Sequence, residues 1–149
     1  MAATTTLAAP AAAIRALNDS SRAALGDRDL VQIRMFPFNL GRESRLGRFD
    51  KLKVEFDRRL GHAPPLNDLY LIDSGESGGH HVSREHFRID WIQGRVVLID
   101  RSSRCGTIVG DRKIGVGQPT NDVVLEDGDT IVVGGPNSPF VFQFQFLSA

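Results

Sequence analysis

Four phenylalanines, Phe140, Phe142, Phe144 and Phe146, occupy every second position of the last stretch of the chain, separated by Val141, Gln143 and Gln145. In an extended chain successive side chains point to opposite faces, so this spacing puts all four rings on one face of a single strand. An aromatic face of that size must be covered, and a second sheet stacked on the first is the layer that does so. The chain is therefore constrained to a two-layer β architecture before any other residue is considered.

Further short strands with turn signals between them extend the same pattern. Val31, Ile33 and Met35 alternate with polar neighbours, and Pro37 interrupts them before a second short strand, Phe38 to Arg42. Leu69 and Leu71 begin another, closed by the turn-rich run Ser74-Gly75-Glu76-Ser77-Gly78-Gly79. Phe87, Ile89 and Trp91 share one face of a strand, and Gln93-Gly94 turns it into residues 95–100. A polar loop over 100–107, short strands around Ile108 and Ile114, an Asp127-Gly128 turn and a strand over 130–133 complete the series. Many short strands at short intervals predict an all-β, two-sheet β-sandwich.

Two segments read differently. Residues 10–25 are alanine-rich, with Ile14, Leu17 and Leu25 spaced loosely along one helical face and Gly26 suited to a C-cap. They predict a short N-terminal helix or a flexible lead, which sets residues 1–28 aside as an extension and leaves 29–149 as the folded domain. Between Arg42 and Leu66, Leu46, Phe49, Leu52, Phe56 and Leu60 step by three and four, with Gly61 and Pro64-Pro65 to end the run. That spacing predicts an inserted helix near residues 45–60, with a solvated polar face that leans basic.

The polar stretch His81-Val82-Ser83-Arg84-Glu85-His86 carries the chemistry. A serine hydroxyl and a guanidinium, side by side at the entry to a rigid strand, can meet one anion together. Ser83-Arg84-Glu85-His86 resembles the Ser-x-x-His element of the forkhead-associated (FHA) domain, a β-sandwich family whose loops bind phosphothreonine peptides. Phe38-Asn39-Leu40-Gly41-Arg42 upstream, Asp100-Arg101-Ser102-Ser103-Arg104-Cys105-Gly106-Thr107, and Leu125 to Gly134 downstream fall in that family's order. The resemblance spans roughly residues 30 to 146.

The resemblance implies that Gly41-Arg42, Ser83-Arg84 and Arg104-Cys105 meet at one end of the sandwich as a phosphopeptide site. Arg42, Ser83 and Arg84 are expected on the phosphate, with Arg104 and Cys105 beside the peptide. Gly41, His86, Gly106 and Thr107 are expected to support the loops. Cys105 departs from the pattern: it stands where the family has an asparagine that typically bonds the peptide main chain, and a thiol is a much weaker donor and acceptor. A second Gly-Arg, Gly47-Arg48, competes for the phosphate role, but only Arg42 follows a strand.

The expected activity is phosphothreonine-dependent protein binding in signalling, with no catalysis, cofactor or metal. The alternative is a scaffold of the same fold that binds a partner without phosphate. With 18 Lys and Arg against 18 Asp and Glu, nothing favours nucleic acid or a membrane as partner. No apolar run approaches a membrane span. The single cysteine excludes an internal disulfide and suits the cytoplasm. Gly75-Glu76-Ser77-Gly78-Gly79 matches a nucleophile elbow, yet that motif must open a helix and be followed by an acid and then a histidine. The neighbouring His80 and His81 point to opposite sides of an extended chain, which disfavours a metal cluster with His86 and Asp73.

Overall fold

The structure, a computed structural model, describes residues 9–43, 67–76 and 78–147. Eleven strands and one short helix follow in chain order: β1 (Ala12–Ala16), α1 (Asp19–Ala24), β2 (Leu30–Ile33), β3 (Phe38–Arg42), β4 (Leu69–Leu71), β5 (Phe87–Ile92), β6 (Arg95–Asp100), β7 (Thr107–Val109), β8 (Arg112–Ile114), β9 (Asp122–Val124), β10 (Thr130–Val133) and β11 (Val141–Phe146). They form a six-stranded sheet in the order β2-β1-β11-β10-β7-β8 and a five-stranded sheet in the order β4-β3-β5-β6-β9. The fold is the expected two-sheet sandwich. No helix among the described residues is long and apolar enough to cross a membrane.

The core lies between the sheets. Phe142 and Phe144 from β11, Ile14 from β1, Ile33 from β2 and Ile131 from β10 meet Leu40, Leu71, Phe87, Ile89 and Leu98 from the other layer, all essentially inaccessible to water. Each such side chain contributes about 1.5 to 3 kcal/mol of transfer free energy. Phe146, last in the aromatic series, is at the margin, 38% exposed and packed edge-on against Phe144.

The alanine-rich N-terminal segment has its short helix over residues 19–24, but departs from its reading as a helix or flexible lead over residues 12–16. Residues 12–16 form an interior strand, antiparallel to β11 on one side, with Ile14 opposite Phe144, and to β2 on the other, with Ile14 opposite Val31. Ala12 and Ala13 are wholly buried. The helical preference of alanine is a fraction of a kcal/mol per residue, and closing a six-stranded sheet over a core outweighs it. Only residues 19–24 are helical, capped by Asn18, whose side chain accepts the Ser21 N–H at 2.7 Å. Ser21 in turn accepts the Val141 N–H at 2.7 Å, fastening the helix to the start of β11. The inserted helix read near residues 45–60 lies outside the described residues, as do Gly47-Arg48 and Ser77.

Trimming the chain to residues 29–149 removes β1 and leaves β2 and β11 without the strand between them. The expected outcome is loss of a cooperative thermal melt, measured by circular dichroism; a trimmed chain melting as sharply as the full one would contradict this account of β1.

Candidate functional site

The end of β3 presses against the backbone of residues 83–84. The Arg42 N–H donates to the Ser83 carbonyl at 2.8 Å, and the His86 N–H donates to the Leu40 carbonyl at 2.9 Å. At Gly41 a Cβ would lie 1.9 Å from the Arg84 carbonyl oxygen, so no other residue permits the approach. That carbonyl also accepts from the Asn67 side-chain amide at 2.7 Å. Asn67 further accepts from Arg101 at 2.8 Å, and Arg101 reaches Glu85 with its other terminal nitrogen. The main chain of residues 83–85 is thus held from both sides.

His86 fastens this loop to the one between β6 and β7. Its Nδ1 lies 2.9 Å from the Ser83 N–H, and its Nε2 lies 2.7 Å from the Gly106 carbonyl. The first contact requires a bare acceptor nitrogen and the second a donor, so the ring is neutral with its proton on Nε2. Burial pushes the imidazole below its ordinary value of 6.5, while the Gly106 carbonyl and the Asp100 charge act in the opposite direction. The ring is wholly buried and meets Phe87 edge-on.

Two buried carboxylates shape the loops. Asp73, just past β4, accepts from the N–H groups of Gly75, His81 and Val82 at 3.1, 2.8 and 3.0 Å. Asp100, at the end of β6, accepts from the Ser103 N–H at 2.9 Å, from the Ser103 hydroxyl, and from the Thr107 hydroxyl at 3.1 Å. The Ser103 oxygen then accepts the Gly106 N–H at 3.1 Å. Gly106 has φ +80°, the left-handed region that suits glycine. Among the described residues no group of metal-ligating side chains is arranged to hold an ion.

The predicted site residues fall together on this frame. The Ser83 oxygen accepts the Arg104 N–H at 2.9 Å, which leaves the Ser83 hydroxyl hydrogen free to donate. The backbone of Arg42 is bonded to Ser83, Arg84 follows it in the chain, and Arg104 is bonded to its hydroxyl oxygen. Three guanidinium-bearing residues are therefore anchored within one residue of Ser83. Arg42 is half-buried, Arg84 and Arg104 are exposed, and none of the three side chains has a hydrogen-bond or ion-pair partner among the described residues. The half-buried Cys105 thiol lies 3.8 Å from the His80 carbonyl, a weak link back to the β4–β5 loop. Thr107 is buried, with its hydroxyl on Asp100.

Five residues join the expected supports Gly41, His86, Gly106 and Thr107 in holding the loops. Asn67, Asp73, Asp100, Arg101 and Ser103 hold the loops, and only Asp73-Ser74-Gly75 carried a local signal, an aspartate two residues before a glycine.

The FHA domain family profile matches residues 58–134, more than half of the chain. The match begins after Arg42, and the pairing of β3 with β4 and β5, with the Arg42 N–H on the Ser83 carbonyl, sets Arg42 beside Ser83. A search of curated protein sequences finds no match. Among solved structures, the FHA domain of an Arabidopsis thaliana hypothetical protein is similar, with TM-score 0.58 and 19% identity over 94% of this chain and 88% of that one. Mycobacterium tuberculosis EmbR in complex with a low-affinity phosphopeptide has TM-score 0.57 and 18% identity over 94% of this chain, which spans 25% of EmbR. A structure from an analysis of phosphothreonine-dependent FHA domain interactions has TM-score 0.53 and 19% identity over 93% of this chain and 99% of that one. With the family profile matched over more than half its length and the sandwich shared with these structures, the chain belongs to the FHA domain family.

Proposed function

We propose that this domain is a phosphothreonine-dependent protein-binding module, a signalling adaptor whose ligand is a phosphorylated segment of another protein. One observation carries the reading. The Ser83 hydroxyl, its oxygen already accepting from Arg104, has its hydrogen to offer, and it is flanked by Arg42, Arg84 and Arg104 without carboxylate partners among the described residues. The family, and the phosphopeptide bound in the EmbR structure, support phosphate as the guest.

In this reading Arg42 donates paired bonds to the phosphate, Ser83 donates its hydroxyl and Arg84 adds a further charged contact, while Arg104 and Cys105 lie against the peptide. Hydrogen bonds to charged groups contribute about 1.5 to 3 kcal/mol each, and micromolar affinity needs only about 8 kcal/mol net. Two or three such contacts with a few backbone bonds suffice. Gly41, His86, Gly106 and Thr107 act as supports and do not touch the ligand. No catalytic step is assigned. A cytoplasmic setting suits the free thiol of Cys105.

A second reading is a scaffold on the same fold that binds its partner without phosphate. The thiol of Cys105 favours it, because its hydrogen-bonding partner is the His80 carbonyl within the domain and a thiol grips a peptide main chain weakly. Matched phosphorylated and unphosphorylated threonine peptides separate the two: an affinity indifferent to the phosphate selects the scaffold. For the phosphate reading, Arg42→Ala should weaken phosphopeptide binding about tenfold to a hundredfold by titration calorimetry, with the thermal melt near wild type.

Acidity acts on guest and host separately. A phosphothreonine dianion takes up a proton near pH 6, so binding weakens below that value. His86 has its folded value below 6.5, so the unfolded chain takes up that proton first as pH falls. The stability contributed by keeping the ring neutral is present above about pH 6.5 and is lost progressively as pH falls toward the lowered folded value. His86→Asn should cost about 2 to 4 kcal/mol near neutral pH. Because the wild type alone loses this contribution, the gap in melting temperature between wild type and His86→Asn should narrow from about pH 7.5 to about pH 5. A constant gap would contradict the neutral, bridging ring.

A further inference from the structure

We infer that His80 is a proton-dependent positioning residue: with a proton on Nδ1, as the imidazolium, its ring closes on Asp73 and fixes the main chain that leads into Ser83. This rests on the phosphothreonine reading and adds a control exerted on that site by the β4–β5 loop.

The charge of Asp73 lacks a counter-charge in contact. Its side chain is only 3% exposed, and no lysine or arginine among the described residues forms an ion pair with it. The three groups bonded to it, the N–H of Gly75, His81 and Val82, are neutral. A buried carboxylate is least costly with both its charge and its lone pairs met. Oδ2 accepts from His81 and Val82, whereas Oδ1 accepts only from Gly75. An ionised carboxylate has about four acceptor sites, two on each oxygen, so the one still open is on Oδ1.

That oxygen faces His80. The ring Nδ1 lies 3.8 Å from it, too far for a hydrogen bond, and is buried without a hydrogen-bond partner. The ring is laid over Gly75, where a Cβ would come within 3.1 Å of it. With Nδ1 bare, a lone pair is aimed at a carboxylate; protonated, the same nitrogen supplies both the missing donor and the missing charge. Charge-assisted N–H···O contacts are about 2.7 to 2.9 Å, so closure brings ring and carboxylate together by about 1 Å. Among the described residues Asp73 is the one acidic group within ion-pair distance of the ring. From the β6–β7 loop, the Cys105 thiol meets the His80 carbonyl at 3.8 Å, and the exposed Arg104 beside it is bonded through its N–H to Ser83. The His81 ring lies edge-on to Phe140.

The effect reaches the phosphate site through the chain. Asp73 already holds the N–H groups of His81 and Val82, and Ser83 is the next residue. A bond from His80 to the same carboxylate ties three consecutive residues to one anchor, leaving the run into Ser83 less freedom to lose when a peptide binds.

Two measurements on the full chain test this. In NMR of ligand-free wild type, the His80 Nδ1–H should be a slowly exchanging resonance in contact with the Gly75 N–H at about pH 5.5, and absent at about pH 8. In fluorescence anisotropy with one phosphothreonine peptide, the ratio of wild-type to His80→Gln affinity should rise about threefold to tenfold from about pH 8 to about pH 5.5. Titration of the phosphate and of His86 acts on both proteins alike and cancels in the ratio. A ratio that stays flat with pH, or a His80 ring with no protected Nδ1–H at the lower pH, overturns the inference while leaving phosphothreonine binding intact. If neither protein binds the peptide at either pH, or both bind its unphosphorylated form equally well, the phosphothreonine reading falls and this inference with it.

Discussion

A neutral imidazole buried between two loops must accept on one nitrogen and donate from the other, and His86 does both, to the Ser83 N–H and from Nε2 to the Gly106 carbonyl. These bonds connect segments 20 residues apart in the chain. Neither peptide group belongs to a strand ladder, so without the ring each would be left unpaired away from water, at about 1 to 3 kcal/mol apiece. The position of Ser83 relative to Arg104, and hence the direction in which the hydroxyl can donate, follows from that bridge. A wholly buried side chain thereby sets the geometry of the polar groups around it.

The same economy is visible in the loops that His86 joins. Irregular backbone has many N–H groups and no ladder to absorb them, so something must accept them. Asp73 and Asp100 do so, each with only a few per cent of its surface exposed and each surrounded by donors from its own loop. Burying a carboxylate is costly unless it is bonded this fully. Once it is, the loop is held in place and has little conformational freedom left to lose. Rigidity at this end of the sandwich is achieved by hydrogen bonds to two charges, and among the described residues no cluster of side chains is arranged to hold a metal ion and the one cysteine is free.

Which features could be read from the sequence follows from whether their cause is local. The alternating phenylalanines of β11 announce a strand and its covering layer because both requirements reside in seven consecutive residues. The chain over 12–16 announces nothing of the kind. Its partner Phe144 is at the opposite end of the sequence, and alanine has too small a side chain to show a period when both faces are covered. Local propensity then points to helix, and non-local pairing decides otherwise. Gly41 and Arg42 were legible through a family resemblance, but the physical reason for the glycine was not. That reason is a carbonyl, from Arg84, 1.9 Å from where a Cβ would sit. Likewise an aspartate before a turn is readable at Asp73, whereas its bonds to His81 and Val82, eight and nine residues on, are not.

Cys105 sits on a frame that does not depend on its own side chain. The loop it occupies is positioned by Asp100, Ser103 and His86, all independent of the cysteine side chain, so the backbone there survives the loss of an amide. An amide in this place would offer strong donor and acceptor groups; a thiol 3.8 Å from the His80 carbonyl offers little of either. A main-chain contact reads position along a peptide and is indifferent to side chains, whereas a guanidinium reads charge and is indifferent to exact register. Side-chain chemistry at Cys105 and at its exposed neighbour Arg104 can therefore vary without disturbing the backbone that carries them.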